Sequence, residues 1–192
     1  ESYLNNPKDS TSIPSSRVFS LYKASNGCIY VGTSAGFCCY NPEKNNFTRI
    51  GSFSSKVSAI IEDYFGRIWI GTSISGLYSY NVRTKKISSY QRSDNSNSLT
   101  KNVITTLAID SKKRLWIGTY GQGLCRYNDE TDDFTRYDHL KLPNKIITSI
   151  IPKGDLLWIS TNKGLAVYNP DTEYLKTYSK SNGLYNEQFT PR

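Results

Sequence analysis

His139 is the only histidine in the 192 residues. A nucleophile activated by an imidazole base needs a histidine beside it, and imidazole metal centres need several, so both chemistries lose their main residue type. Asp129, Glu130, Asp132 and Asp133 resemble a calcium loop. They lack the glycine and the fixed ligand order that such a loop requires. Cys28, Cys38, Cys39 and Cys125 contain no C-x-x-C pair, which removes the usual zinc and thioredoxin spacings. Adjacent Cys38 and Cys39 would point to opposite faces of a strand, and a turn flanked by Thr33 and Gly36 sets Cys28 opposite Asn41. Free, mostly buried thiols are expected. No glycine-rich loop opens a helix to cradle phosphate. Glycosidase chemistry needs two convergent acids in a cleft, and most acids here lie in repeated turns. No catalytic residue, no metal and no cofactor are expected.

The stretch Trp69-Ile70-Gly71-Thr72 has the look of an active-site signature until its copies are counted. It recurs as Tyr30-Val31-Gly32-Thr33, Trp116-Ile117-Gly118-Thr119 and Trp158-Ile159-Ser160-Thr161. Each copy is followed by a glycine with an apolar residue and then by Tyr-Asn. The Gly or Ser falls at 32, 71, 118 and 160. A period of about 40–45 residues indicates a repeat architecture. The tryptophans, set inside apolar segments, are expected in the core and not as sugar platforms. Thr33, Thr72 and Thr119 are expected to fasten turns to nearby backbone.

Each unit reads as four short strands. In the second they are Val57 to Ile61, Arg67 to Thr72, Leu77 to Tyr80 and Lys86 to Tyr90, with turn residues between. No stretch keeps a 3.6-residue apolar period, so no significant helix is expected. The second strands are apolar on both faces, which requires cover on both sides. Small four-stranded sheets stacked around an axis provide it. The fold class is therefore all-β, a β-propeller of about four complete blades in an incomplete ring. The divisions are 1–14 (end of a preceding blade and connector), blades at 15–50, 51–90, 91–137 and 138–178, and 179–192 (start of a further blade). Tyr3 and the polar stretch after it parallel Tyr90 and its connector, so the chain reads as a piece of a longer array. Open blade faces would be sticky, and homo-oligomerisation through them is expected.

The formal net charge is +8, and aromatic residues make up 13% of the chain, including 15 tyrosines. The connections between blades and the turns after each second strand share one end of the axis. That end carries nine basic and four acidic residues, the other end ten and eleven. Loops on a rigid scaffold are where function concentrates. An anionic or polyhydroxylated ligand near the axis is expected, with Arg17, Lys101, Asn102, Tyr120, Gln122, Asn144, Lys145 and Lys163 as contacts. No nucleic-acid partner is expected, because the basic residues are scattered. No apolar run approaches the length of a membrane span, and no signal-peptide pattern opens the sequence.

The pattern V-x-x-I…D-x-x-G-x-[IL]-W-I-G-T…G-L-x-x-Y-[ND], carried by Val57 to Asn81 and Val103 to Asn128, resembles the propeller repeat of bacterial two-component regulators. Weaker copies run from Val18 to Asn41 and from Ile146 to Asn169. The connector Asp94 to Leu99 and the segment Gly183 to Phe189 are similar to that family's blade connections. The first copy departs with Tyr30-Val31, the fourth with Ser160 and with Pro152 in place of the turn aspartate. The resemblance implies a sensor segment of a periplasmic, hybrid histidine kinase that detects glycan breakdown products, joined to the membrane only through other parts of the parent. The alternatives are a protein-interaction propeller without a small ligand and a propeller lyase or hydrolase.

Overall fold

The computed structural model describes residues 2–53, 55–186 and 188–190. Sixteen strands form four antiparallel sheets, each of four strands consecutive in the chain. The first blade is β1 (Val18–Lys23), β2 (Ile29–Thr33), β3 (Gly36–Asn41) and β4 (Asn46–Arg49). The second is β5 (Val57–Glu62), β6 (Arg67–Thr72), β7 (Leu77–Asn81) and β8 (Ile87–Tyr90). The third is β9 (Ile104–Ile109), β10 (Leu115–Thr119), β11 (Leu124–Asn128) and β12 (Asp133–Arg136). The fourth is β13 (Ile147–Lys153), β14 (Leu156–Thr161), β15 (Gly164–Asn169) and β16 (Tyr174–Tyr178). A single 3-10 turn at Lys180–Asn182 is the only helical element among the described residues. The first strands β1, β5, β9 and β13 pack side by side in that order and line the axis. The ring is open.

Blades meet through three apolar seams. Between the first two lie Tyr30, Phe37, Phe53, Val57, Ile68 and Ile70. Trp69, Leu77, Ile104, Ile117 and Tyr127 fill the next, and Trp116, Leu124, Ile147, Leu157 and Tyr168 the last. Every side chain of β10 is buried. In β14 buried and half-buried positions alternate instead, because no blade covers the far side of the fourth sheet. Trp158 is thus half-buried and stacks on Tyr178. Its expected place in the core holds for Trp69 and Trp116, both fully buried, but not for this last copy.

The repeated motif has a distinct job at each position. The Asp63 carboxylate accepts from the backbone N–H groups of Phe65 and Arg67, from Arg67 Nε and, at 2.7 Å, from Trp69 Nε1. Asp110 does the same for Lys112, Arg114 and Trp116. Each arginine then reaches the next blade: Arg67 pairs with Asp129, and Arg114 with Asp171 at 2.9 Å. The acidic hairpin that mimics a calcium loop is therefore more than a solvated turn. Asp129 joins blades, Asp132 accepts from Tyr90 and Tyr127, and Asp133 accepts from Asn97, Asn128 and Thr131. In the fourth copy Pro152 and Leu156 stand where Asp and Arg would be, and the buried Trp158 Nε1 has no acceptor. Thr33, Thr72 and Thr119 fasten their turns as expected and Thr161 does the same, Oγ1 donating to the carbonyls of Gly36, Gly76, Gly123 and Gly164 at 2.8–3.0 Å.

The motif glycine is a contact between blades. A Cβ on Gly71 would stand 2.6 Å from Ile104 Cγ2, and one on Gly118 2.7 Å from Ile147 Cγ2. In the fourth copy Ser160 takes the place of the glycine, and its hydroxyl lies 2.7 Å from that of Thr148. Connectors are docked alike: Arg49 donates to carbonyls of Asp9 and Ser12, Arg136 to those of Asn95 and Ser98. Tyr3 rests on Tyr40 and Phe47 as Tyr90 rests on Tyr127 and Phe134.

Two outcomes follow in denaturant unfolding. Asp110→Ala strands a buried indole N–H and leaves Arg114 with Asp171 alone, and should cost about 1–3 kcal/mol. Gly118→Ala overpacks the seam and should cost about 1–3 kcal/mol, whereas Ser160→Ala should move the midpoint far less. Equal losses at 118 and 160 would contradict the seam assignment.

Candidate functional site

The first strands carry a feature hidden in the sequence. Each has a β-bulge near its start, at Val18/Ser20, Val57/Ala59, Ile104/Thr106 and Ile147/Ser149. The residue left unpaired is Phe19, Ser58, Thr105 or Thr148. A bulge adds one residue to one strand and redirects its side chain. Here all four end up lining one axial cavity of about 610 Å³, with Ser149, Ser160 and residues 188–190. The hydroxyls are already oriented. Ser58 Oγ lies 2.6 Å from the Ile104 carbonyl and Thr105 Oγ1 donates to the Gly118 carbonyl at 3.0 Å. Thr148 Oγ1 and Ser160 Oγ are 2.7 Å apart. Donating inward leaves oxygen lone pairs for the axis. The signal in the sequence is faint: one residue, polar in three copies, directly after the residue that opens each first strand.

Cations stand at the entries to these strands. Arg17 and Lys56 both lie over the Phe19 ring, Lys56 Nζ 4.1 Å from its centre and Arg17 Cζ 5.7 Å. Lys56 is absent from the eight residues expected at the site, although it shares their end of the axis. Five of the eight come together. The bridge between Tyr120 and Ile146, and the backbone bonds from Gly121 and Gly123 to the Lys145 carbonyl, place Tyr120 and Gln122 against Asn144 and Lys145. The bond from Asn162 N–H to the Ile146 carbonyl brings the turn bearing Lys163 alongside. Tyr120 is half-exposed and Gln122, Lys145 and Lys163 are exposed. Lys101 and Asn102 adjoin through the bond from Tyr120 N–H to the Val103 carbonyl. Arg17 belongs to the first blade and stands apart from this group.

Two of the eight have structural work. Asn102 Oδ1 accepts from Arg92 N–H at 2.6 Å, and Asn144 Oδ1 from Ile146 N–H at 2.7 Å. Both hold connectors in shape and so orient the loops beside them. Glu187, one of the acidic residues counted at this end, lies outside the described residues. Among those described, no group of three or more His, Cys, Asp or Glu side chains is arranged to hold a metal ion, and no helix is long and apolar enough to cross a membrane.

The arrangement recurs in known proteins. The family model described as "Two component regulator propeller" matches residues 12–35, 51–73 and 98–121. Histidine kinase P4 of Formosa agariphila is 34% identical over 94 residues, which cover 43% of this chain and 7% of that protein. The crystal structure of an extracellular domain of a hybrid two component system of B. thetaiotaomicron superposes with a TM-score of 0.75 at 26% identity, covering 92% of this chain and 25% of that one. A second such domain from the same organism gives 0.58 at 20% identity over 92% of this chain and 28% of that chain, a likeness of fold. The chain thus spans about a quarter of those structures and a small part of the kinase. Three segments of the chain thus match two-component regulator propeller repeats, and they fall in the first three of its four blades.

Proposed function

We propose that this array is the sensing part of a hybrid two-component regulator, lies in the periplasm, and holds a polyhydroxylated or anionic saccharide fragment over its axis. The observation that carries the reading is the axial cavity. Four bulges turn one aromatic ring and three hydroxyls into it, and basic residues stand at the strand entries. Sugars are bound through hydroxyl networks, apolar ring faces and charge where the sugar is acidic; the lining offers the first two, and Arg17 and Lys56 over the Phe19 ring offer the third beside it. Among the cavity's described lining residues there is no Asp or Glu, and the role we assign it is binding. The similarity to extracellular domains of hybrid systems supports placement outside the cytoplasm, with a histidine kinase elsewhere in the parent protein.

A second reading rests on the uncovered blade faces. Leu21 is 67% exposed on the first blade and Ile151 62% on the fourth, and the Trp158 indole N–H has no acceptor. Packing of copies through these faces would cover them. On the fourth blade Leu156 stands where an arginine would bridge, and on the first Pro42 and Glu43 stand where its acceptor would be.

Titration of the protein with neutral and acidic oligosaccharides by calorimetry tests the first reading. Lys56→Ala with Lys145→Ala should weaken binding of an acidic fragment at least about tenfold, as expected for loss of two charge-assisted contacts. Tyr120→Ala with Lys145→Ala should weaken either class. Binding that survives both pairs, or no binding by either class, sinks the assignment. For the second reading, sedimentation should show concentration-dependent association that Trp158→Ala with Ile151→Ser abolishes. A monomer throughout would end it.

A further inference from the structure

The three seams differ. The second and third are closed by an Asp-Arg-Trp turn reaching to an aspartate. In the first seam the same positions are Ala24, Cys28 and Tyr30, and Val82 takes the place of Asp129. Small, uncharged side chains leave a cleft of about 570 Å³ between the first and second blades, walled by Tyr30, Tyr80, Ile50 and Ile87. Cys28 and Cys39 both line it.

Their neighbourhood follows from register. Cys39 pairs with Tyr30 across β2 and β3. Cys28 lies two residues before Tyr30, hence on the same face and diagonal to Cys39. After burial, the neighbouring Cys28 thiol is the largest cause of the upward shift of the Cys39 thiol. Both are free and half-buried, whereas Cys38 and Cys125 are wholly buried. Cys38 points to the opposite face of β3, against Val31 and Phe47. A diagonal pair has Cα atoms about 7–8 Å apart, so a bridge requires the backbone to move. The movement is assigned to the hairpin end at Cys28, which lies outside β2 just beyond the Ala24–Gly27 turn and would release its N–H from Asn26 Oδ1 at 3.0 Å and its carbonyl from Ala24 N–H at 2.9 Å.

We propose that Cys28 and Cys39 are a thiol-modification site, exchanging with small-molecule disulfides to form a reversible cross-strand bond at the first seam. The Cys28 thiolate attacks one sulfur of the incoming disulfide. That S–S bond breaks, and the departing thiolate takes a proton from water. Cys39 then gives up its proton to solvent, and its sulfur attacks Cys28 Sγ and expels the second thiolate. Two protein thiols are oxidised and one small disulfide is reduced to two thiols. Burial pushes the Cys39 thiol up to about 12, so the second attack, which needs its thiolate, is the slow step.

The folded protein is equilibrated in graded mixtures of reduced and oxidised glutathione, quenched with an alkylating reagent and mapped by mass spectrometry. Alkylation of Cys28 and Cys39 should fall together, with a linked Cys28–Cys39 peptide two hydrogens lighter. Dithiothreitol should restore both, and Cys38→Ser should behave like the parent. Cys39→Ser should stop at one glutathione on Cys28. Full alkylation of all four thiols under the most oxidising mixture would overturn the proposal. So would glutathione adducts that never resolve in the parent protein, or a link through Cys38. The map of the parent protein decides the matter even if a variant fails to fold.

Discussion

One carboxylate in each of two tight turns sets the geometry on which the array depends. Asp63 and Asp110 are almost fully buried, and each collects two backbone N–H groups, an indole N–H and a guanidinium. A buried charge is tolerable only when its hydrogen-bonding capacity is used, and here it is used four times over. The consequence extends beyond the turn. The indole is fixed flat in the seam, and the arginine is aimed at an aspartate in the following blade. Local turn chemistry thereby becomes the angle at which one sheet meets the next.

A steric constraint completes that angle. The glycine ending each second strand admits the β-branched side chain that opens the next blade: Val57, Ile104 or Ile147. Inner strands are thus drawn together near the axis, where each bulges at the same level. Hydroxyls at the bulges partly satisfy the neighbouring blade. Ser20 Oγ donates to the Val57 carbonyl, and Ser58 Oγ approaches that of Ile104. The candidate ligand surface is a by-product of the closure device. The residues that position the blades also present the polar atoms on the axis.

Much of this was legible in the sequence because it is periodic. Four copies of one pattern give four sheets, and the alternation of strands and turn residues gives their bounds. The threonine at each exit and the glycine after it could be assigned to turns from local chemistry alone. What escaped is whatever depends on the neighbouring blade. Asp129 reads as a solvated turn residue until Arg67, 62 positions earlier, is brought against it. The bulged residues read as ordinary strand positions, since a bulge is a matter of pairing and not of composition. Trp158 carries the same motif as Trp69, yet its environment is set by what stands beyond it. Lys56, Arg17 and Phe19 converge in space across two blades, and single-sequence spacing carries no trace of that meeting.

The unequal seams have a mechanical consequence. Blades in a row behave as springs in series, and a load shared by all is taken up mostly by the softest. Two of the joints here are stiffened by ion pairs from Arg67 and Arg114. The joint at Ala24, Cys28 and Tyr30 has none and has empty volume beside it. Torque across that joint is resisted instead by apolar packing and by the two hydrogen bonds from Ser25 to the Glu62 carboxylate.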